Sequence, residues 1–187
     1  MKNPMHEALG FQATTYLKGA VTPKKARLIE DFGFTSRKDD SLMVMTSDEI
    51  PLVFYAPVPV LGIAKVSKEK AMDESFKDRL HALFTQFNIN PAEVEVYMGP
   101  CLTFSHTFVE RPVMESLMDR GYRAACKRSE GVDFLDVPVL VLQQLRSMGV
   151  LMEHIHISAY DTFENPDCFY SALRGDRDGN PTIAFLK

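Results

Sequence analysis

A chain of 187 residues is long enough to bury a core as one domain without disulfide or metal staples. Its composition, 45% apolar and 25% charged, is that of an ordinary soluble protein, and no run approaches the about 18 apolar residues that a membrane span needs. With a formal net charge of -4 and no long Lys/Arg block, neither a nucleic acid nor an anionic membrane is an expected partner.

The first residues, Met1-Lys2-Asn3-Pro4-Met5-His6-Glu7, are polar and lead into no apolar core of a secretory signal. Cys101, Cys126 and Cys168 are odd in number and widely spaced, which suits neither a disulfide framework nor a zinc knuckle. A reducing, cytoplasmic setting is therefore expected.

In chain order, residues 11–17 read as a short strand, and 23–30 as a short helix with Pro23 in its first turn and Gly33 ending it. Residues 36–40 are a turn. Three apolar segments follow at 42–45, 52–55 and 58–66, rich in β-branched and aromatic residues and separated by Asp, Pro and Ser, so they read as strands. Pro51, Pro57 and Pro59 fit strand starts or an edge, where no ladder hydrogen bond is lost.

The clearest helix spans 73–88, where Phe76, Leu80, Leu83, Phe84 and Phe87 recur at spacings of three and four. Asp73, Glu74 and Asp78 near its start complement the helix dipole, and Pro91 excludes its continuation. Residues 94–98 alternate as a strand. Further helices are expected from Pro112 to about Gly121 and over 137–148, stopped by Gly149. Residues 155–158 form a strand, and 182–186 close the sheet as an edge strand. Helices inserted between strands predict an α/β fold, a layered mixed β-sheet flanked by helices.

The segment with the most chemical content is Met98-Gly99-Pro100-Cys101-Leu102-Thr103-Phe104-Ser105-His106-Thr107-Phe108-Val109, which puts a thiol and an imidazole directly after a strand. It resembles the Ile-Gly-Pro-Cys-Ile-Gly-Pro-Cys segment of laccase-domain or polyphenol-oxidase-family proteins, also described as bacterial purine nucleoside phosphorylases. Downstream, Leu135-Asp136-Val137, Gln144-Leu145, Met148-Gly149-Val150, Asp161-Thr162 and Asp167-Cys168-Phe169-Tyr170-Ser171 follow the family's order. The match covers roughly residues 75 to 185, and order and spacing carry it.

The resemblance implies a laccase-domain-like (cysteine-hydrolase-like) fold over 1–187 with a shortened amino-terminal part. It also implies a zinc-dependent catalyst whose ligands are a histidine in Gln-Val-His, a cysteine in Ala-Asp-Cys and a histidine in His-Ala-Gly-Trp-Arg. This chain has no Gln-Val-His and no cysteine before Cys101, and Gly62-Ile63-Ala64-Lys65-Val66-Ser67-Lys68-Glu69 puts alanine or lysine where the second histidine is expected. No family ligand carries over, so no cofactor is expected although the family would use zinc. The expectation is the fold without the family's chemistry, acting through binding.

Two enzymatic readings stand beside it. One is a nucleoside phosphorylase or deaminase whose metal is recruited by Cys101, His106, His154 and His156, the last two sharing a strand face. The other is a cysteine hydrolase in which His106 activates Cys101. Against both stands a plain reading, in which Cys101 is a small buried hydrophobe and His154 and His156 alternate with inward Ile155 and Ile157.

If the strands at 94–98 and 155–158 run parallel, the loops after them face one cleft. Tyr160, Phe163 and Phe104 would then wall a site for a purine-like ring, Thr103, Ser105 and His106 would give polar contacts, and Arg174 and Asp176 would close one side. A purine-like small molecule is the expected partner, and a homodimer stays open. The aromatics packing the two loops together is the competing reading.

Overall fold

Apolar residues alternating through the first 66 positions fold as seven strands: β1 (Met5–Ala8), β2 (Phe11–Thr15), β3 (Arg27–Leu28), β4 (Phe32–Thr35), β5 (Ser41–Thr46), β6 (Ile50–Ala56) and β7 (Val60–Val66). Helices α1 (Lys68–Met72) and α2 (Ser75–Gln86) follow, then β8 (Glu95–Met98) and α3 (Arg111–Asp119). The hairpin β9 (Cys126–Ser129) and β10 (Val132–Leu135), helix α4 (Val137–Ser147), β11 (Ile155–Ile157) and β12 (Asn180–Leu186) complete the order. The computed structural model describes residues 2–8, 10–23 and 25–187.

The strands form two five-stranded sheets and the separate β9–β10 hairpin. The first sheet runs β1-β2-β12-β5-β3 and the second β11-β8-β6-β7-β4. Most neighbours are antiparallel; β11 beside β8 and β3 beside β5 are parallel. The fold is mixed α/β in three layers: one sheet, a second sheet, then helices.

The alternation along β6, β7 and β8 builds this layering. Val53, Leu61, Ile63 and Tyr97 face the first sheet and pack with Phe11, Leu42, Val44 and Ala184. Ile50, Leu52, Phe54, Val96 and Met98 face the other way, onto Phe76, Leu80, Phe84, Leu140 and Leu145 of the helices. Strands covered on both faces read as continuous apolar runs, which is why residues 50–66 show little polar alternation. Each fully buried Phe or Leu side chain here contributes about 1.5–3 kcal/mol relative to exposure.

The structure departs from the sequence expectations at four places. Residues 23–30 are not a helix: Arg27 and Leu28 pair with β5, and the Ile29 N–H donates to the Met43 carbonyl at 2.7 Å. Lys24 of that segment lies outside the described residues. Eight residues make a marginal helix, and burying Ile29 between the sheets outweighs its local preference. Gly33 accordingly sits within β4 rather than ending a helix.

The helix expected over 73–88 is preceded by a separate one, α1, capped by the Ser67 hydroxyl, which accepts from the Lys70 N–H at 3.3 Å. The hairpin at 126–135 was not anticipated, because its exposed residues give no clean alternation. Strand β12 is not an edge: it lies between β2 and β5 and pairs with both. No helix among the described residues is long and apolar enough to cross a membrane.

Candidate functional site

The parallel pairing of β8 and β11 delivers the loops after them side by side. The Thr162 N–H donates to the Cys101 carbonyl at 3.0 Å, extending the pairing past the strand ends. Asp161 then clasps both loops. One oxygen accepts from the Thr103 N–H at 2.7 Å, and the other accepts from the N–H groups of Phe163 (2.7 Å) and Glu164 (2.9 Å). Burial raises the Asp161 carboxyl, but these donors outweigh burial and hold it below the usual aspartate range.

Cys101 is 5% exposed and belongs to the helix-side core. Burial pushes its thiol well above the ordinary value, and the nearby carboxylates of Asp161, Asp136 and Asp48 push it further. His106 turns instead to Glu164, with Nε2 at 2.6 Å from Oε1, and its ring lies 4.4 Å from that of Phe163. Among the described residues no hydrogen bond joins Cys101 to His106. A thiol in this setting stays protonated, and among the described residues no histidine is hydrogen-bonded to it.

The remaining expected site residues serve the loops. The Arg174 guanidinium donates to the carbonyls of Thr162, Phe163 and Phe169 and to Asp176, at 2.5–3.1 Å. Asp176 also accepts from the Ser171 N–H and lies 3.5 Å from Lys18. Phe104 meets Phe134 edge-on at 6.4 Å, Phe163 lies on His106, and Tyr160 lies 5.9 Å from Phe169. The three aromatics therefore have separate ring neighbours, and Thr103 Oγ1 is spent on Ser105 at 3.3 Å. His154 and His156 approach the Glu95 carboxylate together, at 3.8 and 3.1 Å, away from Cys101.

A cavity of about 270 Å³ opens where β6 begins and β7 gives way to α1. Its apolar floor includes Ile50, Val66, Leu102 and Val137, and its polar groups include Asp48, Glu49, Ser67, Lys68, Glu69 and Thr107. Asp48 is fully engaged: Oδ1 accepts from Thr162 Oγ1 and Oδ2 from the Leu173 N–H, both at 2.8 Å. Glu49 pairs with Lys65 at 3.1 Å and accepts from the N–H groups of Ser47 and Asp48. Burial raises its carboxyl, and those partners hold it below the usual glutamate range. Neither a histidine nor a cysteine lines this cavity.

A family model described as multi-copper polyphenol oxidoreductase laccase matches residues 12–183. The chain belongs to this family. Its fold is shared by the crystal structure of the Bacillus licheniformis hypothetical protein YfiH, at a TM-score of 0.75 and 17% identity, over 92% of this chain and 74% of that one. YlmD from Geobacillus stearothermophilus superposes at 0.72 with 22% identity, over 83% of this chain and 60% of YlmD. A Neisseria meningitidis protein gives 0.72 with 18% identity, over 84% of this chain and 64% of its own. The laccase-family chain thus spans only 60–74% of the length of these structures. No curated protein matches it.

The acidic pair in Thr46-Ser47-Asp48-Glu49 lines the cavity where β6 begins. Sequence reading passed over it. The available signal was an acidic pair running directly into a buried strand.

Proposed function

We propose that this laccase-family protein lacks the zinc-dependent purine nucleoside chemistry that its resemblance implies, and acts by binding a small planar molecule in the cavity at the start of β6. The observation that carries this reading is the donor set around that cavity. Zinc and copper sites of catalytic type rest on imidazole nitrogen or thiolate sulfur donors, supplemented at most by a carboxylate, with an open position. Here the lining offers carboxylates and hydroxyls, and the Asp48 and Glu49 carboxylates are already committed to hydrogen bonds and an ion pair. Those residues do not fit a zinc or copper centre.

What the cavity supplies is an apolar floor with a polar rim, the arrangement by which proteins hold a flat heteroaromatic ring. Ser67 Oγ accepts from the Lys70 N–H and keeps its proton to donate, Thr107 Oγ1 donates to the Thr103 carbonyl and keeps its lone pairs to accept, and with Lys68 they stand as the orienting groups. The loop residues Thr103, Phe104, Phe163, Arg174 and Asp176 act in this reading as the frame that fixes Leu102 against the cavity.

The test pairs turnover with binding. Phosphorolysis of adenosine or inosine should stay at background with zinc supplied. Adenine at about ten times its Kd should raise the melting temperature by about 3–6 °C, since mass action adds about 1.4 kcal/mol. Filling the cavity with Leu102→Trp should abolish that shift. Zinc-dependent turnover would overturn the loss of chemistry, and an adenine shift unchanged in Leu102→Trp would overturn the binding site.

A further inference from the structure

Three residues that line no part of that cavity converge where the β1 and β11 edges of the two sheets meet. His6 comes from β1, the edge of the first sheet, and His156 from β11, the edge of the second. Glu95 begins β8, next to β11. The period of two explains the convergence: His156 stands opposite Tyr97, whose ring faces the inter-sheet core, so His156 and Glu95 turn toward the first sheet as Tyr97 does.

The two imidazole rings lie face to face, 3.9 Å between centroids, and His156 Nε2 is 3.1 Å from Glu95 Oε2. One donor atom from each of His6, Glu95 and His156 lies within 4.8 Å of the other two. His6 Nε2 is buried without a hydrogen-bond partner. A second cavity of about 220 Å³ adjoins the cluster, lined by His6, Tyr97, His156, Ser158 and Tyr160.

We propose that His6, Glu95 and His156 form a binding site for a divalent transition metal ion of the zinc type, which pins the edges of the two sheets together. Two imidazoles and a carboxylate with a position left open is a donor set that zinc takes, at about 2.0–2.2 Å from each ligand atom. Drawing three donors onto one ion needs them to close in, the imidazoles turning about χ2 so that each presents a nitrogen. That motion gives the orphaned His6 nitrogen a partner. His154 Nε2 lies 3.8 Å from Glu95 Oε1, the carboxylate oxygen other than the one nearest His156. The 220 Å³ cavity beside the two imidazoles leaves room for water or an anion as a further ligand. This site shares no residue with the cavity proposed for the planar ligand, so the two stand or fall separately.

Tag-free protein titrated with Co²⁺ reports the site through ligand-field bands, and Zn²⁺ competition gives its affinity. The expected result is one equivalent in the wild type and in His81→Ala, which removes an exposed histidine on α2. His6→Ala, Glu95→Gln and His156→Ala should each weaken binding by more than about 100-fold, since first ligands matter at least as much as the groups behind them. Circular dichroism and metal-free melting curves matching the wild type establish that those variants fold. Zn²⁺ should raise the melting temperature of the wild type but not of His156→Ala. One-equivalent binding that survives His156→Ala, binding lost equally in His81→Ala, or only weak uptake of several equivalents would each overturn the proposal.

Discussion

Asp161 commits both carboxylate oxygens to three backbone N–H groups and its carbonyl to the Asn165 side chain at 2.8 Å, so one 6%-exposed residue fixes two loops. Asp161→Asn turns one acceptor into a donor facing an N–H. The loss should be about 2–3 kcal/mol in urea unfolding, the worth of hydrogen bonds to a buried charged acceptor. Because the folded carboxyl sits below the ordinary 3.8, its stabilisation is complete above that value and fades as pH falls through the folded value. Wild-type stability should therefore decline below about pH 4, and Asp161→Asn should lack that part of the decline. Cys101 gives a complementary expectation: native protein at pH 8 should incorporate iodoacetamide at Cys126 and Cys168, both partly exposed, and none at Cys101. Peptide mass mapping reads this directly, and alkylation of Cys101 at pH 8 would restore the nucleophile reading. Sequence alone marked Cys101 and His106 because thiol and imidazole stand out by chemistry. It had no means of seeing that His106 turns to Glu164, 58 positions on.

Among the elements, the β6–β7 hairpin depends on a residue with no side chain. A Cβ at Gly62 would stand 1.9 Å from Cζ of Phe54, whose ring is fully buried between those of Phe32 and Phe84. Gly62→Ala should cost about 1–3 kcal/mol in denaturant midpoint, as overpacking a filled core does. Phe54→Leu in the same chain should recover part of that loss by vacating the contested space. A strand glycine could be read from sequence only as a weak strand position, since the ring that requires it comes from a partner strand. Elements defined by their own periodicity were legible: residues 75–86 through the spacing of Phe76, Leu80, Leu83 and Phe84, and 42–66 through their apolar runs. Elements defined by a distant partner were not, and Arg27–Leu28, which is a strand only because β5 lies beside it, is the clear case.

For the molecule as a whole, family and mixed α/β class followed from motif order and the alternation of elements, whereas the division into two sheets did not, because strand order is set by pairings that no local pattern records. The central position of β12 has a kinetic consequence. The second sheet is assembled largely from neighbours in sequence, β6 with β7 and β7 with β4, at little loop-closure cost. The first sheet must bring Thr15 opposite Thr182 and Phe11 opposite Leu186, closing nearly the whole chain into one loop. Contacts of such separation form late. Refolding should thus pass its barrier with the β6–β7 hairpin in place and β12 still undocked. Val53→Ala should slow refolding, while Ala184→Gly should leave the refolding rate nearly unchanged and accelerate unfolding. Until β12 docks, Phe11, Leu42 and Val44 remain open to solvent along the flanks of an unfilled strand slot, so self-association during refolding should grow with protein concentration and be suppressed by an added peptide of residues 180–187.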